Sequence, residues 1–135
     1  MEKKNDDRKK EEKKDKEKRK LRVGVVGAGH WGKNIIRDLL SMGVLTVVCE
    51  ENKYHWDLSQ ECKWVLKMDD MWGMVDAVAL VTPIHTHLSL GKKVLENGKH
   101  LFVEKPMATS AKDAIKLLCE ASKRNLKLMT GHLLH

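Results

Sequence analysis

The chain has 135 residues, 41% hydrophobic and 33% charged, with a formal net charge of +7. At roughly 100–200 residues per domain, this length leaves no room for two domains of ordinary size. No segment reaches the roughly 18 consecutive apolar residues that a membrane-spanning helix requires.

The charge is concentrated at the start, where residues 1–20 hold 11 of the 26 Lys+Arg and 7 of the 19 Asp+Glu. Their single apolar side chain, Met1, cannot bury enough area to offset chain entropy. A disordered tail or a solvated, fraying helix is therefore expected there. The tail has no apolar core of a secretory signal and too many acids for a transit peptide. Its interleaved signs and lack of aromatic residues argue against a nucleic-acid or membrane partner. Cys49, Cys62 and Cys119 are widely spaced and odd in number, forming neither a disulfide framework nor a zinc pattern. They read as reduced thiols in a cytoplasmic protein. The folded domain is expected over residues 21–135.

From Leu21 to Val26 the chain is β-branched and apolar, a buried strand that breaks at Gly27-Ala28-Gly29. From Trp31 to Met42 the period becomes helical, with Ile35, Ile36, Leu39 and Leu40 on one face and Gly43 as C-terminal cap. Val44–Cys49 is a second strand. Between 52 and 74 the signals weaken: a short helix near Lys53–Gln60, a strand near Lys63–Lys67 and a helical turn at Asp69–Met74 are expected. Val75–Val81 forms a central strand, stopped by Thr82-Pro83. A helix follows from about His87 to Glu96, ended by Asn97-Gly98, then a strand at His100–Glu104. A longer helix covers Ala111–Arg124, with Ser110 and Asp113 at capping-box spacing and Ala111, Ala114, Ile115, Leu118 and Ala121 expected to share a buried face. Leu126–Thr130 is the sixth strand. Strands alternating with helices imply an α/β fold, a doubly wound parallel sheet of six strands.

Gly27-x-Gly29-x-x-Gly32 lies between the first strand and the first helix, the context that gives this motif meaning. Gly27 permits a tight turn, Gly29 has no Cβ to obstruct a pyrophosphate, and Gly32 lets helix and strand approach. The free N–H groups and dipole of the helix start favour anionic phosphates. Glu50 follows the second strand 18 residues after Gly32, near the spacing of about 20 expected for a carboxylate that accepts from the adenosine ribose. Such a carboxylate repels a 2′-phosphate, Glu51 adds charge, and no Arg follows closely, so NAD is favoured over NADP. A methyltransferase-type Rossmann domain is the nearer rival; the third glycine and well-formed first helix favour a dinucleotide.

Together with Thr82-Pro83-x-x-x-His87 and Glu104-Lys105-Pro106, the run Gly27-Ala-Gly-His-Trp-Gly-Lys-Asn34 resembles the N-terminal NAD(P)-binding Rossmann domain of the Gfo/Idh/MocA oxidoreductases. The resemblance covers residues 21–135. The His-Trp-Gly-Lys-Asn wording and the ending Gly131-His132-Leu133-Leu134 look most like members acting on nucleotide sugars. It implies that Gly27, Gly29, His30, Trp31 and Gly32 hold the pyrophosphate, that Glu50 holds the ribose, and that Thr82, Pro83 and His87 line the cofactor groove. Glu104 and Lys105 would face the nicotinamide, with Lys105 the catalytic proton acceptor or relay in oxidising a sugar, nucleotide-sugar or polyol hydroxyl. Pro106 restricts Lys105 to extended conformations, and a cis Lys105–Pro106 bond is a further expectation.

Family members carry a second α+β domain that this sequence lacks, and that domain supplies the substrate floor and most dimer contacts. The resemblance therefore carries over no substrate pocket and no oligomeric state. A sugar or polyol substrate is expected only where a second domain is supplied. The alternative is a stand-alone dinucleotide-binding module or truncated fragment without turnover. His132, just past the last strand, reads either as a substrate-side or cofactor contact or as a buried, hydrogen-bonded residue. No metal site is expected, because His85 and His87 have no further ligands at recognisable spacing. Trp56, Trp64 and Trp72, with Met68, Met71 and Met74, read as core filling and surface packing, and Cys49 as a buried strand end.

Overall fold

The computed structural model describes residues 4–10 and 20–131. Residues 4–10 form an exposed helical segment. The apolar runs pair into one parallel sheet: β1 (Val23–Val26), β2 (Leu45–Cys49), β3 (Lys63–Val65), β4 (Ala77–Leu80), β5 (His100–Glu104) and β6 (Leu128–Gly131), in the order β3-β2-β1-β4-β5-β6. Three helices make the longer crossovers: α1 (His30–Ser41), α2 (His87–Glu96) and α3 (Ala111–Lys123). The central strands carry no polar side chain because both their faces are covered; all four residues of β1 are buried. Among the described residues no helix is long and apolar enough to cross a membrane.

α1 packs Ile35 and Ile36 against Val25, Val48 and Ala79 on one face of the sheet. On the other, α2 and α3 bring Val94, Leu95, Leu117 and Ala121 onto Val47, Val78, Leu80 and Val103. This corrects the buried face expected for α3. Ile115 and Leu118 are 57% and 48% exposed, whereas Leu117 is fully buried. The reason lies on α2: at Gly91 a Cβ would come within 3.0 Å of the Leu117 side chain and 3.1 Å of Leu101. The missing side chain admits Leu117 into the helix–sheet seam, and that choice turns Ile115 and Leu118 outward.

Other boundaries shift for local reasons. The first strand begins at Val23 rather than Leu21, because Arg22 is an anchor: its backbone N–H donates to Asp76 Oδ2 at 3.0 Å and its guanidinium to Oδ1 at 3.0 Å. The helix expected at Lys53–Gln60 shrinks to a 3-10 turn at Lys53–His55. Beyond it, the Asp57 carboxylate accepts from the Ser59 N–H and the Gln60 amide and fixes a turn. Residues 68–74 form two 3-10 turns, Met68–Asp70 and Trp72–Met74. β6 starts at Leu128, since Asn125 adopts φ +55 and the Leu126 N–H folds back on Ala121 O at 2.8 Å. Ser110 caps α3 as expected, accepting from the Asp113 N–H at 3.1 Å.

Candidate functional site

The strand order reverses between β1 and β4, so the connections leaving these strands diverge to opposite faces and open a crevice at their C-terminal ends. The glycine turn sits at that point. Gly27 has φ +104, and a Cβ there would lie 2.2 Å from the Val81 carbonyl oxygen, which no L side chain tolerates. At Gly32 a Cβ would lie 2.3 Å from Gly27 O. Gly29 differs: nothing stands within 4 Å of the position its Cβ would take. Two of the glycines thus serve the packing of the turn, and the third keeps open the space in front of it. Gly29 is also the N-cap of α1, with no side-chain cap and no acidic residue in the first turn. The first turn of the helix therefore leaves its N–H groups without a side-chain partner of its own, a setting suited to a phosphate.

Glu50 stands beside this turn, 13% exposed. Its Oε1 accepts from the Ala28 N–H at 2.9 Å and from His55 Nδ1 at 3.2 Å, and its Oε2 accepts from the Asn52 N–H at 2.9 Å. Burial by itself would raise the carboxyl, but the hydrogen bonds from Asn52, Ala28 and His55 outweigh it and hold Glu50 below the usual carboxylate range. Its own backbone carbonyl accepts from Trp56 Nε1 at 2.9 Å, which ties the loop to the strand end. The result is an ionised carboxylate fixed at the rim of the crevice.

Two cavities meet over the turn, sharing Gly29, Val81, Thr82 and Pro83. One, of about 560 Å³, runs along Glu50, Glu51 and Leu66–Asp69 to Leu90 and Lys93. The other, of about 510 Å³, runs past His30, Trp31 and His87 to Glu104 and Lys105. Together they form a bent groove with the carboxylate at one end and the lysine at the other. The Lys105–Pro106 bond is cis. His87 lines the groove but is 2% exposed, and its ring nitrogens face backbone carbonyls: Nε2 lies 3.0 Å from Thr82 O, and Nδ1 3.1 Å from Pro106 O. It braces the loops after β4 and β5 against each other.

Of the residues named from sequence, Gly29, His30, Trp31, Gly32, Thr82, Pro83, His87, Glu104 and Lys105 converge on one cavity, and Gly27 and Glu50 on the other. His132 lies outside the described residues. Cys49 is buried at the end of β2 and its thiol is pushed up to about 11, first by burial and then by Glu50. Met68 and Met71 are buried as expected, but Met68 also walls the groove beside Glu50.

Residues 21–132 match the family described as "Oxidoreductase family, NAD-binding Rossmann fold", Gfo/Idh/MocA. The chain belongs to this family. A UDP-N-acetylglucosamine 3-dehydrogenase of Acidithiobacillus ferrooxidans is 31% identical over 116 residues, covering 84% of this chain and 37% of the relative. An inositol 2-dehydrogenase of Saccharopolyspora erythraea is 29% identical over 124 residues, covering 84% and 37%. The WlbA dehydrogenase of Bordetella pertussis, solved with NADH and UDP-GlcNAcA, superimposes with a TM-score of 0.75 at 28% identity over 83% of this chain and 36% of that one. The chain thus spans a little over a third of the length of these relatives. What it matches in that family is the NAD-binding Rossmann domain.

Several groove residues had no signal in the sequence. Leu66, Lys67 and Met68 follow β3, and the rule that ligands meet strand ends points to them once that strand is placed. Leu90 and Lys93 arrive from α2, where Lys93 Nζ reaches Asp69 Oδ1 at 3.4 Å, a pairing no local pattern reveals. Ala28 contributes only its N–H, and His55 only its proximity to Glu50.

Proposed function

We propose that this chain holds NAD for an oxidoreductase that moves hydride between NAD and a hydroxyl-bearing carbon of a sugar, nucleotide sugar or polyol. The observation that carries this reading is the continuity of one groove from Glu50, past Gly29, to Glu104 and Lys105. The residues fit the cofactor: the clear space before Gly29 admits a pyrophosphate, and Glu50 offers acceptors to ribose hydroxyls while opposing a 2′-phosphate, as does Glu51. NAD is accordingly preferred to NADP. When bound, the nicotinamide supplies the hydride acceptor. Lys105 takes or relays the hydroxyl proton, and Glu104 and Thr82 shape the pocket around it. The substrate class follows the relatives named for UDP-N-acetylglucosamine and for inositol, and the setting is cytoplasmic. A second reading, NAD binding without turnover, is kept because the chain covers 37% of the first relative's length.

Turnover and binding separate the two. Joined to a second α+β domain and given NAD with either UDP-N-acetylglucosamine or an inositol, the Lys105→Ala protein is expected to form NADH about 100-fold or more slowly while NADH affinity stays within about twofold. Turnover indifferent to Lys105→Ala removes the role assigned to the lysine. NADH binding with no turnover on either substrate, even with that domain supplied, favours the second reading.

A further inference from the structure

The contacts of Glu50 contain more than the ribose assignment requires. An ionised carboxylate offers roughly four lone-pair sites and can only accept, so the His55 nitrogen facing it carries the hydrogen. Three of those sites are taken: Oε1 by the Ala28 N–H and His55 Nδ1, Oε2 by the Asn52 N–H. A ribose presents two neighbouring hydroxyls, and accepting from both needs two sites where one remains. One existing donor must yield. Ala28 and Asn52 donate through backbone amides, fixed by the glycine turn and by the loop after β2. His55 donates through a side chain that is 41% exposed, and it can rotate away.

We propose that His55 is a positioning residue that competes with the ribose hydroxyls for Glu50 Oε1, so that its departure is part of cofactor binding. This rests on the reading of Glu50 as the ribose carboxylate. Protonation of the ring adds ionic attraction to the hydrogen bond and makes His55 harder to displace. Affinity for NADH should then weaken with protonation of the ring. The charged groups around the ring are Glu50 at the end of β2, Lys33 on α1, and Lys53 and Asp57 on its own loop; Lys33 and Asp57 line the same cavity of about 330 Å³. His30, at the phosphate end of the groove, is a second imidazole, whose cation would attract the pyrophosphate and so act with the opposite sign. A comparison with a His55 variant cancels it.

The experiment is a calorimetric titration of the full chain with NADH at about pH 6 and about pH 8, values that bracket the imidazole range. Wild type, His55→Ala and His55→Gln are compared. The expected result is that His55→Ala binds more tightly than wild type at the lower pH, by about fivefold, and that the ratio of its two dissociation constants is smaller by a similar factor. His55→Gln, which retains a donor without a titrating charge, should share the reduced pH dependence and bind no more tightly than His55→Ala. Weaker binding by His55→Ala at both pH values would instead make the histidine a support for Glu50 or a cofactor ligand. An unchanged pH ratio in both variants equally overturns the proposal. Absence of NADH binding in all three proteins is a failure of the ribose assignment itself, and the proposal falls with it.

Discussion

Gly27→Ala is expected to destabilise the domain by on the order of 3 kcal/mol, a large share of the roughly 5–15 kcal/mol that holds such domains folded. Two penalties coincide at this position. Its φ of +104 is unfavourable for any residue with a Cβ, and the added carbon would meet the Val81 carbonyl oxygen at 2.2 Å. That oxygen is on the backbone and close to the Val81 N–H, which donates to Val26 O at 2.8 Å and extends the β1–β4 ladder. Neither side can retreat without opening the sheet. Gly29→Val is the informative partner, since Gly29 has ordinary negative φ and nothing within 4 Å of its Cβ position. Its stability in urea should stay within about 0.5 kcal/mol of wild type, while NADH affinity falls at least about tenfold, or about 1.4 kcal/mol. Equal stability losses in the two variants would show that Gly29 is a structural glycine like Gly27.

His87→Ala is expected to cost on the order of 3 kcal/mol, through a lost buried side chain and a carbonyl group left without its donor. The ring is 2% exposed and lies between Thr82 O at 3.0 Å and Pro106 O at 3.1 Å. Those carbonyls belong to the two loops that carry Thr82 and Lys105, so the brace sets the shape of the groove at its lysine end. Thermal or urea denaturation checks the stability loss. NADH titration of the folded fraction should then show a secondary weakening, smaller than that of Gly29→Val. Unchanged stability with strongly reduced affinity would make His87 a direct ligand instead of a brace.

What could be read from the sequence tracks where the determining interactions are local. α2 and β5 have the boundaries expected from sequence because each stop is written beside them: Asn97-Gly98, with Gly98 at φ +75, ends α2, and Lys105-Pro106 ends β5. The glycine turn and the place of Glu50 beside it were legible because both follow from spacing along the chain. Residues 52–74 were not, since their short turns are held by side chains acting over a few positions, Asn52 on Tyr54, Trp56 on Glu50 and Asp57 on Ser59. The α3 face was misjudged because a glycine on a different helix selects it. His55 was missed for a related reason: its meaning comes from occupying an acceptor site on Glu50, a count that only coordinates reveal.

Calorimetric titration of the chain with NADH, alongside Gly29→Val and Glu50→Ala, decides whether this groove holds NAD(H) through the glycine turn and Glu50. The predicted result is saturable binding at one site per chain, weakened at least about tenfold by each substitution. No binding by the wild-type chain, or the same affinity in both variants as in wild type, would contradict it.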